Sequence, residues 1–297
     1  MGWLRSGTTI IGNVMGSAPK VTHVGELNYL GHPSNPGQCG CGAVFAECPL
    51  WSGVMNEVPF ELTEWHRQRE LSNRAKHVPI QSRRVRRGEV SEYARMTEQL
   101  YALIDGYSHS DLIIDSTKSP GGALALAAMT DVDSYVLQVV RDPRAVAYSM
   151  AKRTKNHGVG GTGRPMAKKG EFETSLRWSV ANGFGDCFVK PVLGPDRYRC
   201  VQYEDFMADS VAAFRELASW LGLDPSALPI KNEKGGPVVD LVGSHTVMGN
   251  PDRFRHGPTL LKPDTEWREK YDRSSQRRAA SLALPLMVRY GYSVRCS

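Results

Sequence analysis

The chain has 297 residues, 41% of them hydrophobic and 23% charged, with a formal net charge of +6. This is an ordinary soluble globular composition, long enough for one large domain or two small ones. Its mild basicity suits an anionic ligand and a solvated surface equally. No apolar run approaches the roughly 18 residues of a spanning helix, and the first residues lack the charged-then-apolar build of a secretion signal. That excludes a membrane span and leaves a cytoplasmic protein as the expectation.

The opening MGWLRSGTTIIGNVMG places a glycine turn ahead of a helix over 8–15, and 20–24 reads as a short strand. Such a loop normally joins a strand to a helix, yet only Met1 precedes Gly2. The first strand is therefore very short or lies upstream of a truncated start, and the second is the expectation. Residues 28–50, rich in Gly, Pro, Asn and Cys, read as a long loop. Cys39, Cys41 and Cys48 fall within it, with His32 as a candidate fourth zinc ligand. The spacing C-x-C-x6-C is not a usual zinc pattern and no second cysteine pair follows, so free or locally bridged thiols, and no metal, are expected.

Helical spacing covers about 60–76, whereas HVPIQSRRVRRGE reads as a solvated connection or an anion-facing edge. Glu89 to Tyr107 carries Val90, Tyr93, Leu100, Ile104 and Tyr107 on one helical face. DLIIDS is a buried strand of parallel-sheet type, followed by a helix with Ser119 as cap and Pro120 at its first position. SYVLQVVRDP repeats the pattern with Asp142 and Pro143. The basic, glycine-rich 155–171 reads as mobile, 171–189 as a helix, 197–206 as a strand and 210–221 as a helix. An irregular stretch, SHTVMGNPDRFRHGP, and two further helices complete the chain.

Strands alternating with helices predict an α/β fold: a P-loop-like three-layer α/β/α arrangement around a mostly parallel sheet, in one domain over 1–297. Ligands of such sheets gather at the C-terminal strand ends. GWLRSGTT, GEL, DSTKSP, VRDPRAVAYS and VQYED all sit at those ends.

In GWLRSGTT, Gly2 and Gly7 have the spacing of a phosphate loop, but Thr8 stands where a nucleoside triphosphatase needs lysine. Inward amides, hydroxyls of Ser6, Thr8 and Thr9, and the cation Arg5 suit one terminal anionic group better than a magnesium-bound triphosphate.

GWLRSGTT together with VRDPRAVAYS resembles the sulfotransferases that use 3′-phosphoadenosine-5′-phosphosulfate (PAPS). ELNYLGHPSNPGQCGCGAVFAECPLW, VQYEDF and HTVMGNPDRFRHG extend the likeness to bacterial members related to the carbohydrate and tyrosylprotein branches. The resemblance implies a loop (Arg5, Ser6, Gly7, Thr8, Thr9) on the 5′-phosphosulfate, and Arg141 with Ser149 on the 3′-phosphate. It also implies Tyr203 near the adenine and a closing segment with Arg253, Arg255 and Gly257, without choosing between the arginines.

Sulfuryl transfer needs an in-line hydroxyl, a base and cations on the transferring oxygens, with no requirement for magnesium. The resemblance points to Glu26 as base, with Arg5 and Lys118 as electrostatic partners; His23 is the second candidate base, and Asp115 is expected to fix its loop. The acceptor is expected to be a small hydroxyl compound, not nucleic acid, bound by insertions at about 28–88 and 155–170. Trp51, Trp65 and Trp178 are either sugar-stacking or core residues. A small-molecule kinase and a non-catalytic nucleotide-binding module are the rival readings.

Overall fold

The computed structural model describes residues 1–32, 35, 37–152 and 170–294. The basic glycine-rich stretch 155–169 lies outside them.

Helix α1 (Thr8–Met15) turns Ile11, Val14 and Met15 inward onto strand β1 (Val21–Gly25). The next segment is helical: α2 (Trp51–Glu57), α3 (Leu62–Asn73), α4 (Val78–Arg86) and α5 (Glu92–Ser108). The arginine-rich 78–86 is thus a helix and not a connection. Its arginines face outward while Val78 and Ser82 are buried, with Pro79 in the first turn. Strand β2 (Leu112–Asp115) then pairs in parallel with β1, Val21 opposite Leu112 and His23 opposite Ile114.

Helix α6 (Pro120–Ala127) starts at Ser119, whose side chain accepts from the Gly122 N–H. Strand β3 (Val136–Val140) follows, and Asp142 caps α7 (Pro143–Ala151) through the Arg144 N–H. Beyond the undescribed stretch come α8 (Glu171–Phe184), a single π-helical turn, α9 (Lys190–Arg197) and β4 (Tyr198–Gln202). β4 pairs in parallel with β3 in register from Val136–Tyr198 to Val140–Gln202. The strand expected over 197–206 ends at Gln202, because Tyr203 begins a helix, α10 (Tyr203–Ala208), followed by α11 (Ser210–Trp220).

Three antiparallel strands then appear that the sequence reading did not anticipate: β5 (Ile230–Glu233), β6 (Gly236–Leu241) and β7 (Gly257–Leu260). The two-residue turn Lys234-Gly235 joins the first two, a hairpin signal. Helices α12 (Trp267–Lys270), α13 (Arg273–Ser281) and α14 (Leu284–Arg289) close the chain.

The parallel strands are covered on both faces, so the fold is the expected α/β type. On one side α1, α10 and α11 bury Val14, Tyr203, Phe206 and Phe214 against Val21 and Val139. On the other, Val24 meets Trp51, Trp65, Leu100 and Ile104 from α2, α3 and α5. Trp51, Trp65 and Trp178 are all core residues, at most 1% exposed, so none is placed to stack on a sugar.

The β1–β2 and β3–β4 pairs are not hydrogen-bonded to one another. A largely apolar cavity of about 680 Å³ lies between Leu112–Asp115 and Val136–Leu137. Met1 sits at its wall. Its ammonium donates to Leu137 O at 2.7 Å and its carbonyl accepts the Val139 N–H at 2.9 Å, one rung of a parallel ladder beside β3. Met1 thus lies at the strand position from which the glycine loop departs.

Candidate active site

The glycine turn leads directly into α1. Gly7 takes the left-handed conformation (φ 92°), and a side chain there would strike the ring of Tyr203. Arg5 is also left-handed (φ 64°), a conformation that costs a non-glycine residue energy and is typically retained where a site needs it. Helix α1 has no side-chain cap, so its first N–H groups have no intrahelical partner. Beside them Thr8 Oγ1 is buried with no hydrogen-bond partner, while Ser6 Oγ donates to the Trp3 carbonyl and stiffens the turn. Uncapped amides, the positive helix end and an orphaned hydroxyl are the chemistry that suits an anionic group.

Glu26 follows β1 and Lys118 follows β2, and the parallel pairing brings their ends together. Lys118 Nζ lies 2.5 Å from Glu26 Oε1, with the two side chains only 8% and 14% exposed. The Glu26 N–H donates to Met248 O at 3.1 Å. Burial pulls the Arg5 guanidinium below its usual pKa, Asp252 and Glu26 pull it back up, and Arg141 lowers it again. Arg5 therefore stands within electrostatic reach of both the carboxylate at the first strand end and the mid-chain arginine.

Arg141, at the end of β3, is joined to the glycine turn. Its Nη1 donates to Arg5 O at 2.9 Å, its Nη2 meets Asp264 Oδ2 at 2.9 Å, and its guanidinium lies 4.7 Å over the Tyr203 ring. Tyr203 is buried between Gly7 and Arg141. It is thus a packing element of the loop, as well as the residue expected near an adenine. Ser149 was expected on the first turns of its helix. It lies instead two residues from the end of α7, half-buried, with no side-chain hydrogen bond among the described residues.

The C-terminal segment separates the two arginines that the sequence left undecided. Arg253 is 5% exposed, and its Nη1 donates to Gln38 O (3.2 Å), Thr246 O (2.9 Å) and Val247 O (3.1 Å). That makes it a clamp between two loops, whereas the resemblance implied a place at the 3′-phosphate. Arg255 is 59% exposed and pairs with Asp252 at 3.1 Å. Gly257 opens β7 with φ 78°.

His23 is a packed histidine. It is buried against Gly12, its Nε2 meets Ser116 Oγ at 2.9 Å, and burial, aided by the Lys118 charge, lowers its pKa to about 3. Asp115 holds its own turn, accepting from the Thr117 N–H at 2.6 Å and the Tyr101 hydroxyl at 2.9 Å.

Sequence reasoning missed His245. Cys39, Cys41 and Cys48 are thiols, and the imidazole beside them belongs to His245, 197 residues beyond Cys48. His32, the candidate from the sequence, packs its ring edge-on to Tyr29 and His66. A lone histidine in an irregular stretch carries no local signal that could have revealed this.

Residues 1–226 match the model of a family described as the sulfotransferase family. Two solved structures align along almost the whole chain. One is the sulfotransferase domain from the curacin biosynthetic pathway, 13% identical, with a TM-score of 0.51 over 99% of this chain and 96% of that one. The other is the sulfotransferase domain from the Synechococcus PCC 7002 olefin synthase, 20% identical, with a TM-score of 0.50 over 99% of this chain and 94% of that one. At such identities they speak for the fold. No curated protein matches the chain in sequence.

Proposed function

The chain belongs to the sulfotransferase family, and from that premise we propose that it moves the sulfuryl group of PAPS to a hydroxyl of a small acceptor. The observation that carries this reading is the contact of Arg141 Nη1 with Arg5 O at 2.9 Å. It joins the two elements that would grip the two ends of one doubly phosphorylated adenosine. The amides of the glycine turn, with Ser6, Thr8 and Thr9, would hold the 5′ end. Arg141 and Ser149 would hold the 3′-phosphate, Tyr203 would support the adenine side, and Arg255 with Gly257 would close over it. Bound there, the donor supplies an activated sulfuryl group and leaves as adenosine 3′,5′-bisphosphate.

Glu26 accepts the proton of the attacking hydroxyl. Its ion pair with Lys118 holds the carboxylate in one orientation at the strand end. Lys118 and Arg5 supply positive charge that counters the negative charge developing on the transferring and leaving oxygens. Helix α4 and the long loop after β1 lie in the stretch 28–88, to which we assign the acceptor pocket.

The test is transfer of radiolabelled sulfate from the donor to a panel of hydroxyl compounds, with calorimetric binding of adenosine 3′,5′-bisphosphate alongside. Glu26→Gln should lower turnover by about 10²- to 10⁴-fold, the scale of a general base, with bisphosphate affinity changed by less than about threefold. Undiminished turnover in that variant would remove Glu26 from the role. Tight magnesium-dependent ATP binding without bisphosphate binding would replace the whole reading with the kinase one.

A further inference from the structure

We propose that Cys39, Cys41, Cys48 and His245 form a structural zinc site that staples the long loop after β1 to the segment between β6 and β7. The four ligand atoms lie within 4.8 Å of one another. The Cys39–Cys48 and Cys41–Cys48 sulfurs are 3.5 and 3.8 Å apart, and His245 Nδ1 is 3.3 Å from the Cys48 sulfur and 3.7 Å from that of Cys39. Zinc bonds of ~2.3 Å to sulfur and ~2.0 Å to nitrogen, set at the tetrahedral angle, give edges of about 3.8 Å (S to S) and 3.5 Å (S to N). The thiols are not bridged to one another. With three sulfurs and one imidazole, the donor set is complete and closed, as structural zinc sites are.

The surroundings suit the charge. Binding Zn²⁺ displaces a proton from each thiol still protonated, and His245 coordinates as neutral imidazole. Three thiolates and the dication leave one net negative charge. The buried Arg253 guanidinium is held on both loops of the cluster, donating to Gln38 O beside Cys39 and to Thr246 O beside His245. The backbone is already in place: Gly40 N–H donates to Thr246 O at 2.9 Å, and Trp51 Nε1 to His245 O at 2.8 Å. At Gly40 any side chain would collide with Thr246, so the approach of the two loops requires glycine.

The staple also reaches the candidate base. The His245 segment continues into Val247, whose N–H donates to Val24 O at 2.9 Å, and into Met248, whose carbonyl accepts the Glu26 N–H at 3.1 Å. The metal therefore anchors the chain against which the end of β1 is set. It has no open coordination position and takes no part in the chemistry.

The site stands on its own donors, independently of the donor nucleotide. The full chain, purified under reducing conditions and resupplied with zinc, should carry about one zinc per chain by plasma mass spectrometry. Replacement by cobalt(II) should give the visible d–d bands of a tetrahedral thiolate complex. Cys41→Ser, at the exposed member, and His245→Ala should each lose most of the metal, while Cys187→Ser, exposed and outside the cluster, keeps it. Cobalt spectra and zinc content on the unaltered chain do not depend on whether the variants fold. A metal-free chain whose clustered thiols react as readily as Cys187 would overturn the proposal. So would a Cys41–Cys48 disulfide in place of metal, or full zinc content in both variants.

Discussion

Two buried arginines mark two regions built on opposite terms. Arg141 belongs to the edge where strands give way to helices. It spends itself on one loop carbonyl, one aromatic face and the carboxylate of Asp264, which is 39% exposed. Arg253 belongs to the irregular loops around the cysteines, and it donates to three backbone carbonyls that have no strand or helix to satisfy them. A carboxylate partner at the surface can be exchanged for an incoming anion. Thr246 O would keep the Gly40 N–H, but Gln38 O and Val247 O cannot be released without losing this donor, at ~1–3 kcal/mol each. Beside the regular elements the cation keeps an exchangeable partner, whereas irregular backbone consumes one.

The largest effect expected from this contrast is on stability. Arg253→Met should lower the unfolding free energy by about 3 kcal/mol in urea titration, because it takes their donor from Gln38 O and Val247 O, and should leave bisphosphate affinity of the folded protein nearly unchanged. Arg141→Met should do the reverse, weakening bisphosphate binding by about 1.5–3 kcal/mol, the worth of hydrogen bonds to a charged group, with a smaller loss of stability. Matching effects in the two variants would erase the distinction.

The two regions also differ in how far the sequence reveals them. The bounds of α1, β2, β3 and the caps at Ser119 and Asp142 follow from glycine, proline and hydroxyl signals that act within a few residues, and Glu26, Lys118 and Arg141 fall at strand ends found that way. Helix α4 was obscured because its arginines mask the two positions it buries, Val78 and Ser82. Tyr203 looked like a continuing strand because alternation in VQYED mimics period two, while its ring in fact packs under Gly7. The roles of His245 and Arg253 depend on partners up to 215 residues away, and no local pattern encodes them.

A smaller effect separates the regions by pH. His23 lies under α1, and its pKa falls from 6.5 to about 3 on burial. Between those values the unfolded chain takes up a proton that the folded chain refuses. Stability is therefore fully present above pH 6.5 and lost as pH falls toward 3, by up to ~1.4 kcal/mol per pH unit. His23→Gln should flatten that slope in thermal melts at constant ionic strength. A slope that survives the substitution would assign the acid sensitivity to other groups, among them Asp272, whose carboxyl is held low by hydrogen bonds from Ser274 and Ser275.

The smallest expected effect tests the exchange itself. Asp264 meets Arg141 Nη2 at 2.9 Å and is the one carboxylate among the described residues recorded in a salt bridge with that guanidinium. An anion arriving at Arg141 must displace it or share the cation with it, and either costs binding energy. Asp264→Asn removes the competing charge while keeping the shape and an oxygen acceptor. Bisphosphate should then bind about three- to fivefold tighter, in line with the ~1 kcal/mol of a partly exposed pair, and the gain should shrink as salt is raised. Weaker binding in this variant would mean that Asp264 orients Arg141 toward the nucleotide. The arginine at the strand end would then be as firmly committed to the fold as the one beside the cysteines.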